Sequence, residues 1–272
     1  MAPEAPLDVP RETPGRGLDR ALTLAALVAL GLHAALDVRV RPRATLAVAL
    51  CTAALALVAA RSLPARSRSA RASPSICALA ACLTVSVQTG LVWQGSMLLA
   101  LAAYAVLGKL FPAIRPPEGW LGRGRLRWGA IALVGGVTPG ALTAWLALAH
   151  PDLRDITGSE LLKVPFPVLV AGGVLFAFLN ATLEETVWRG IFQRSLTEAW
   201  GPRAAVAIQA LSFGAQHAHG FPRGLLGVGL AGAWGVMLGA LRLYAGGLLA
   251  PVLAHVVADA TIAILVIARL QA

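Results

Sequence analysis

The chain has 272 residues, of which 57% are hydrophobic and 13% charged, and its mean hydropathy is +0.72. Soluble globular chains carry about 25% charged residues, so an ordinary cytosolic domain is excluded. The formal net charge of +10 would suit nucleic acid, but the basic residues lie mainly between apolar blocks without an aromatic-rich basic face. They read as cationic loops flanking membrane spans, and no nucleic-acid partner is expected.

Residues 1–20, rich in Pro, Arg and acids, are expected to form a disordered cytoplasmic tail rather than a cleaved signal peptide. Beyond them, residues 21–36, 44–60, 76–108, 129–149, 164–183, 204–222 and 224–241 carry no Asp, Glu, Lys or Arg, and 243–268 carries only Asp259. Blocks of this length match the roughly 20 residues that a helix needs to cross a bilayer. The expected fold is an all-α polytopic transmembrane bundle with eight or nine helices. The number depends on whether 76–108 turns at Gln94-Gly95-Ser96. Cys51, Cys77 and Cys82 lie inside apolar runs and read as buried thiols, with no disulfide framework or metal-ligand spacing. With nine spans and a cytoplasmic N-terminus, most basic residues fall on the inside, in keeping with the positive-inside rule; Arg39, Arg41 and Arg43 are the exception.

Ionisable residues inside apolar helices call for a chemical reason, because a charged group at membrane depth costs about 2.5–3.5 kcal/mol even on insertion scales. The first cluster is Asn180-Ala-Thr-Leu-Glu184-Glu185-Thr-Val-Trp-Arg189. Glu185 and Arg189 stand at i, i+4 in the favourable order for an ion pair, and Glu184 points about 100° away. One carboxylate is thereby neutralised while the other is free to face elsewhere. The alternative is that both glutamates cap the membrane border. The second cluster puts Phe213 and His217 on one helix face. Trp200-Gly201-Pro202 lies midway between Glu184 and His217, so an antiparallel hairpin would bring the two to nearly the same height; otherwise His217 is a hydrogen-bonded packing residue. The third, His255 with Asp259, again has i, i+4 spacing, and its alternative is a helix-stabilising pair without catalysis.

These three motifs, Glu-Glu-x-x-x-Arg, Phe-x-x-x-His and His-x-x-x-Asp, resemble those of the CPBP intramembrane proteases, also called the CAAX protease, bacteriocin-processing or Abi family. The resemblance covers 165–268, a catalytic transmembrane core following N-terminal transmembrane helices over 21–164. It implies a glutamate-dependent intramembrane endopeptidase in which Glu184 and His217 activate a water. His255 and residue 259 would stabilise the oxyanion, while Glu185, Arg189 and Phe213 support the site. A carboxylate shielded from bulk water and an adjacent imidazole suit general-base work. Asp259 departs from the Asn of many relatives, and an ionised aspartate would oppose an oxyanion. Glu184, His217, His255 and Asp259 could also supply zinc ligands, but the His-Glu-x-x-His spacing of soluble zinc proteases is missing, so a metal-free and cofactor-free mechanism ranks above zinc. The competing class is a non-catalytic membrane binding or immunity protein. The Ala/Arg/Gly/Leu bias suggests a high-GC bacterium. The expected setting is therefore a bacterial inner membrane, and the expected substrate a membrane-associated protein or peptide cut near a leader or C-terminal tail.

Overall fold

The computed structural model describes residues 16–62, 72–116, 118–149, 151, 161 and 163–271. Among these residues it is all-helical, with nine helices: α1 (Arg16–Ala35), α2 (Pro42–Ser62), α3 (Ser73–Val87), α4 (Trp93–Leu110), α5 (Trp128–Ala149), α6 (Phe166–Trp200), α7 (Pro202–Gln216), α8 (Gly224–Ala245) and α9 (Leu249–Gln271). Helices α1, α2, α5, α6, α8 and α9 are long and apolar enough to cross a bilayer. The expected polytopic helical bundle is borne out, and the protein is an integral membrane protein.

Three expectations need correction. Cys77 and Cys82 are buried thiols as expected, but Cys51 stands on an outward face of α2 and is exposed. Residues 1–15 lie outside the described residues, but Arg16–Arg20, expected in the tail, form the first turns of α1. Asp19 holds them there. It is buried, and its carboxylate accepts hydrogen bonds from Ala72 N at 3.2 Å, Ser73 N at 3.0 Å and Ser73 Oγ at 2.6 Å, capping the start of α3 from another helix. The 76–108 run does turn, but at Gln88–Val92 rather than at Gln94-Gly95-Ser96. Gly90, at a φ of 75°, takes the left-handed conformation that reverses the chain. The Thr89 hydroxyl donates to Ser86 O at 2.6 Å and so satisfies a carbonyl at the end of α3.

The helix ends gather into two sets. At the Asp19 end, Ser75 Oγ, Tyr104 OH and Ile114 O are linked at 2.7 and 2.8 Å, joining the start of α3 to the end of α4. Arg125 N donates to Ala245 O at 2.8 Å and Leu248 N to Gly122 O at 2.8 Å, tying the segment before α5 to the α8–α9 turn. At the opposite end, Gln88 bridges His33 and Thr45, joining α1, α2 and α3. There His219 Nε2 lies 3.2 Å from Ala35 O, and Trp145 meets Phe221 edge-on at 5.0 Å.

The larger apolar core joins α1, α3 and α4 to α6 and α7 around Trp188, which packs edge-to-face on Phe192 and Phe213. A second core joins α5, α8 and α9. Helices α7 and α8 touch through glycine: a Cβ on Gly214 would lie 2.6 Å from Val228 O. This closeness also exposes carbonyls of α8 to polar side chains, and Gln193 Nε2 donates to Gly239 O at 2.9 Å while Gln209 Nε2 donates to Gly235 O at 2.8 Å.

Candidate active site

Helix α6 supplies the first wall, and its geometry changes where the ionisable residues begin. Phe166–Glu185 is α-helical, Thr186–Phe192 is a π-helical stretch, and Gln193–Trp200 is α-helical again. Such wide turns are rare and frequently accompany functional sites. Across this junction Arg189 Nη1 still donates to Glu185 Oε1 at 2.7 Å, with both side chains fully buried. Arg189 Nη2 reaches Gly235 O at 3.4 Å, and the guanidinium lies 4.5 Å above the Phe213 ring.

Glu185 has a second partner that sequence spacing did not reveal. His255 Nδ1 of α9 lies 2.7 Å from the same Oε1. A carboxylate only accepts, so the geometry assigns the hydrogen to Nδ1 and turns Nε2 of His255 toward the remaining acids. That nitrogen is 3.6 Å from Glu184 Oε2 and 3.7 Å from Asp259 Oδ1, beyond direct hydrogen bonding to either. Asp259 instead accepts from Asn180 Nδ2 at 3.1 Å, one turn before Glu184 on α6. Three buried carboxyl groups thus surround one histidine and one arginine.

Helix α7 contributes Phe213 and His217. The Phe213 ring is 4.7 Å from the His217 ring and meets the His255 ring edge-on at 6.2 Å, so it separates the two imidazoles. His217 Nδ1 is 3.1 Å from Phe213 O. Because a carbonyl only accepts, Nδ1 carries the hydrogen and Nε2 is the basic nitrogen of the neutral ring. Glu184, His217, His255 and Asp259 all line one cavity of about 640 Å³ whose walls are mainly apolar.

Two further residues at this site come from α4. Trp93 Nε1 donates to Glu184 Oε1 at 2.9 Å, and Gln94 Nε2 donates to Asn180 Oδ1 at 2.9 Å, continuing the chain to Asp259. Through Trp93 and Gln94 the N-terminal helices thus reach the candidate base. The one signal in the sequence was Gln94 itself, a polar residue inside an uncharged run. Among the described residues no group of three His, Cys, Asp or Glu side chains is arranged to hold a metal ion.

No curated protein and no solved structure matched the chain on comparison. Residues 166–261, which hold all three motifs, match the family model described as type II CAAX prenyl endopeptidase, Rce1-like. The resemblance drawn from those motifs is therefore borne out: over this part, the chain matches the model of a CAAX-type endopeptidase family, the CPBP/CAAX proteases.

Proposed function

We propose that the protein is a glutamate-dependent intramembrane endopeptidase that hydrolyses a peptide bond near a membrane-associated leader or C-terminal tail of a bacterial protein or peptide. Residues 165–268 form its catalytic core, and the helices of 21–164 serve as scaffold. One observation carries the reading: Glu184, His217, His255 and Asp259 meet in a single, largely apolar cavity among membrane helices. The indole of Trp93 holds Glu184 Oε1, which leaves Oε2 to take a proton from water. His217, anchored through Nδ1, orients the same water through Nε2. The hydroxide equivalent adds to the scissile carbonyl carbon. His255, fixed by Glu185, offers an Nε2–H donor to the oxyanion when its ring is doubly protonated. Collapse of the tetrahedral intermediate breaks the C–N bond, and the proton held by Glu184 passes to the leaving amine.

The test is cleavage of a fluorescence-quenched peptide with an apolar C-terminal segment by purified protein in lipid vesicles. Glu184→Gln lowers turnover by at least about a hundredfold, the scale of a positioned general base, while the variant stays folded and inserted. Equal turnover in variant and wild type refutes the mechanism. A wild type inert toward leader, tail and prenylated peptides alike favours a binding or immunity protein.

A further inference from the structure

The two ends of the bundle differ in charge, and the cavity opens toward only one of them. Among the described residues at the Asp19 end, Arg16 and Arg20 open α1, Arg61 closes α2, Lys109 lies in the last turn of α4 and Arg115 follows it. Arg123, Arg125 and Arg127 precede α5, Arg194 and Arg203 flank the α6–α7 turn, and Arg242 closes α8. The opposite end has Arg39, Arg41 and Arg43 beside Asp37, together with Lys163, Arg223 and Arg269. Lys and Arg concentrate on the cytoplasmic side of membrane proteins, where they meet an anionic leaflet. The Asp19 end therefore faces the cytoplasm.

The cavity lies against this gradient. Its floor holds Glu184 and His255 with Trp93 at the start of α4, and its walls rise to Val38 in the α1–α2 turn and to His219 and Pro222 in the α7–α8 turn. Both turns belong to the end opposite Asp19. Among the described residues, none of the turns at the arginine-rich end contributes to the lining. Short helices explain the shape: α3, α4 and α7 reach the floor and end there, while α5, α6, α8 and α9 run past it.

We infer that the cavity opens away from the cytoplasm, so that it receives an apolar segment of an exported or membrane-spanning chain whose cut site lies in the non-cytoplasmic half of the bilayer. A lipid-modified C-terminus displayed in the cytoplasm would meet the closed, cationic end. The orientation is independent of the peptidase reading; only the substrate statement rests on it.

Single cysteines report the orientation directly. Val40 and Val92 at the cavity end and Leu121 at the arginine-rich end are all well exposed. The wild type, in which Cys51 of α2 is exposed while Cys77 and Cys82 of α3 are buried, sets the blank. In cells with intact membranes, an impermeant maleimide labels Val40→Cys and Val92→Cys to the full extent, and labels Leu121→Cys only after permeabilisation. The reverse pattern overturns the inference, and two cavity-end variants guard against one that fails to insert. In sealed vesicles of each orientation, a charged, membrane-impermeant peptide with an apolar tail is cut only where Val40 faces outward. Cleavage confined to vesicles with Leu121 outward overturns the substrate statement. If no peptide is cut in either orientation or in detergent, the peptidase reading fails while the labelling still decides the orientation.

Discussion

Arg189→Met tests whether the buried charge pair holds helix α6 in place. Methionine keeps much of the length and apolar character of the side chain but removes the hydrogen bond to Glu185 at 2.7 Å, that to Gly235 O at 3.4 Å and the cation above Phe213. The dominant loss is electrostatic. Glu185 is fully buried, its Oε2 has no hydrogen-bond partner, and only His255 remains at Oε1. Stranding one member of a buried pair costs about 3–5 kcal/mol, against about 0.5–2 kcal/mol for a cation over an aromatic face. The expected outcome is a loss of about 3–5 kcal/mol in reversible unfolding in mixed micelles, followed by tryptophan fluorescence. Neutralising the stranded acid provides the control: the double variant Arg189→Met, Glu185→Gln recovers at least about half of that loss. A single variant destabilised by less than about 1 kcal/mol, or a double variant as unstable as the sum of its parts, refutes the assignment of Glu185 and Arg189 as a structural pair.

Trp93→Phe keeps the ring but deletes the donor to Glu184 Oε1. A hydrogen bond to a charged group is worth about 1.5–3 kcal/mol, so kcat falls by about ten- to a hundredfold with KM and unfolding midpoint nearly unchanged; unchanged kcat removes Trp93 from the site's machinery. Gly214→Ala puts a methyl group 2.6 Å from Val228 O, where backbone cannot move aside cheaply. It should cost about 1–3 kcal/mol, read as a lower unfolding midpoint, and a neutral result would mean that α7 and α8 separate more easily than their packing suggests.

Much of the candidate site was legible in the sequence because each motif lies within one helix or, for His217, at its C-cap. The spacings of Glu185 with Arg189, Phe213 with His217 and His255 with Asp259 are periodic features that need no tertiary information. The same periodicity misleads about partners. His255 and Asp259 share a face, yet His255 bonds to Glu185 and Asp259 to Asn180, because neighbouring helices offer shorter approaches. Trp93 and Gln94 could not be placed at all, since nothing local to α4 records that its first turn meets α6. Gln94-Gly95-Ser96 has turn-like composition, but a reversal needs a residue at positive φ, and Gly90 supplies it. The π-helical stretch after Glu185 left no trace in the apolar pattern, because Thr186–Phe192 is buried almost all round and has no polar face to mark its period.

Asp259→Asn bears on the position where the His-x-x-x-Asp motif departs from the asparagine that the family resemblance implies. Asp259 accepts from Asn180 Nδ2 through Oδ2, while Oδ1 lies 3.7 Å from His255 Nε2. An asparagine of the same shape can keep the first contact with its carbonyl oxygen and turn its NH₂ toward His255 and the cavity. If residue 259 helps to hold an oxyanion, the substitution replaces an acid that donates only when protonated by a permanent donor. Activity is then retained or increased, and the arm of the pH profile owed to residue 259 disappears. If residue 259 binds zinc, a neutral amide is the poorer ligand, so metal content and activity fall together. The measurement is cleavage by purified wild type and Asp259→Asn across pH, with elemental analysis of both proteins. Stoichiometric zinc in the wild type, lost with activity in the variant, would falsify the metal-free mechanism. An inactive variant that is folded and metal-free would show that the carboxylate at 259 takes part as a charge or proton carrier, and would move the oxyanion role to His255 alone.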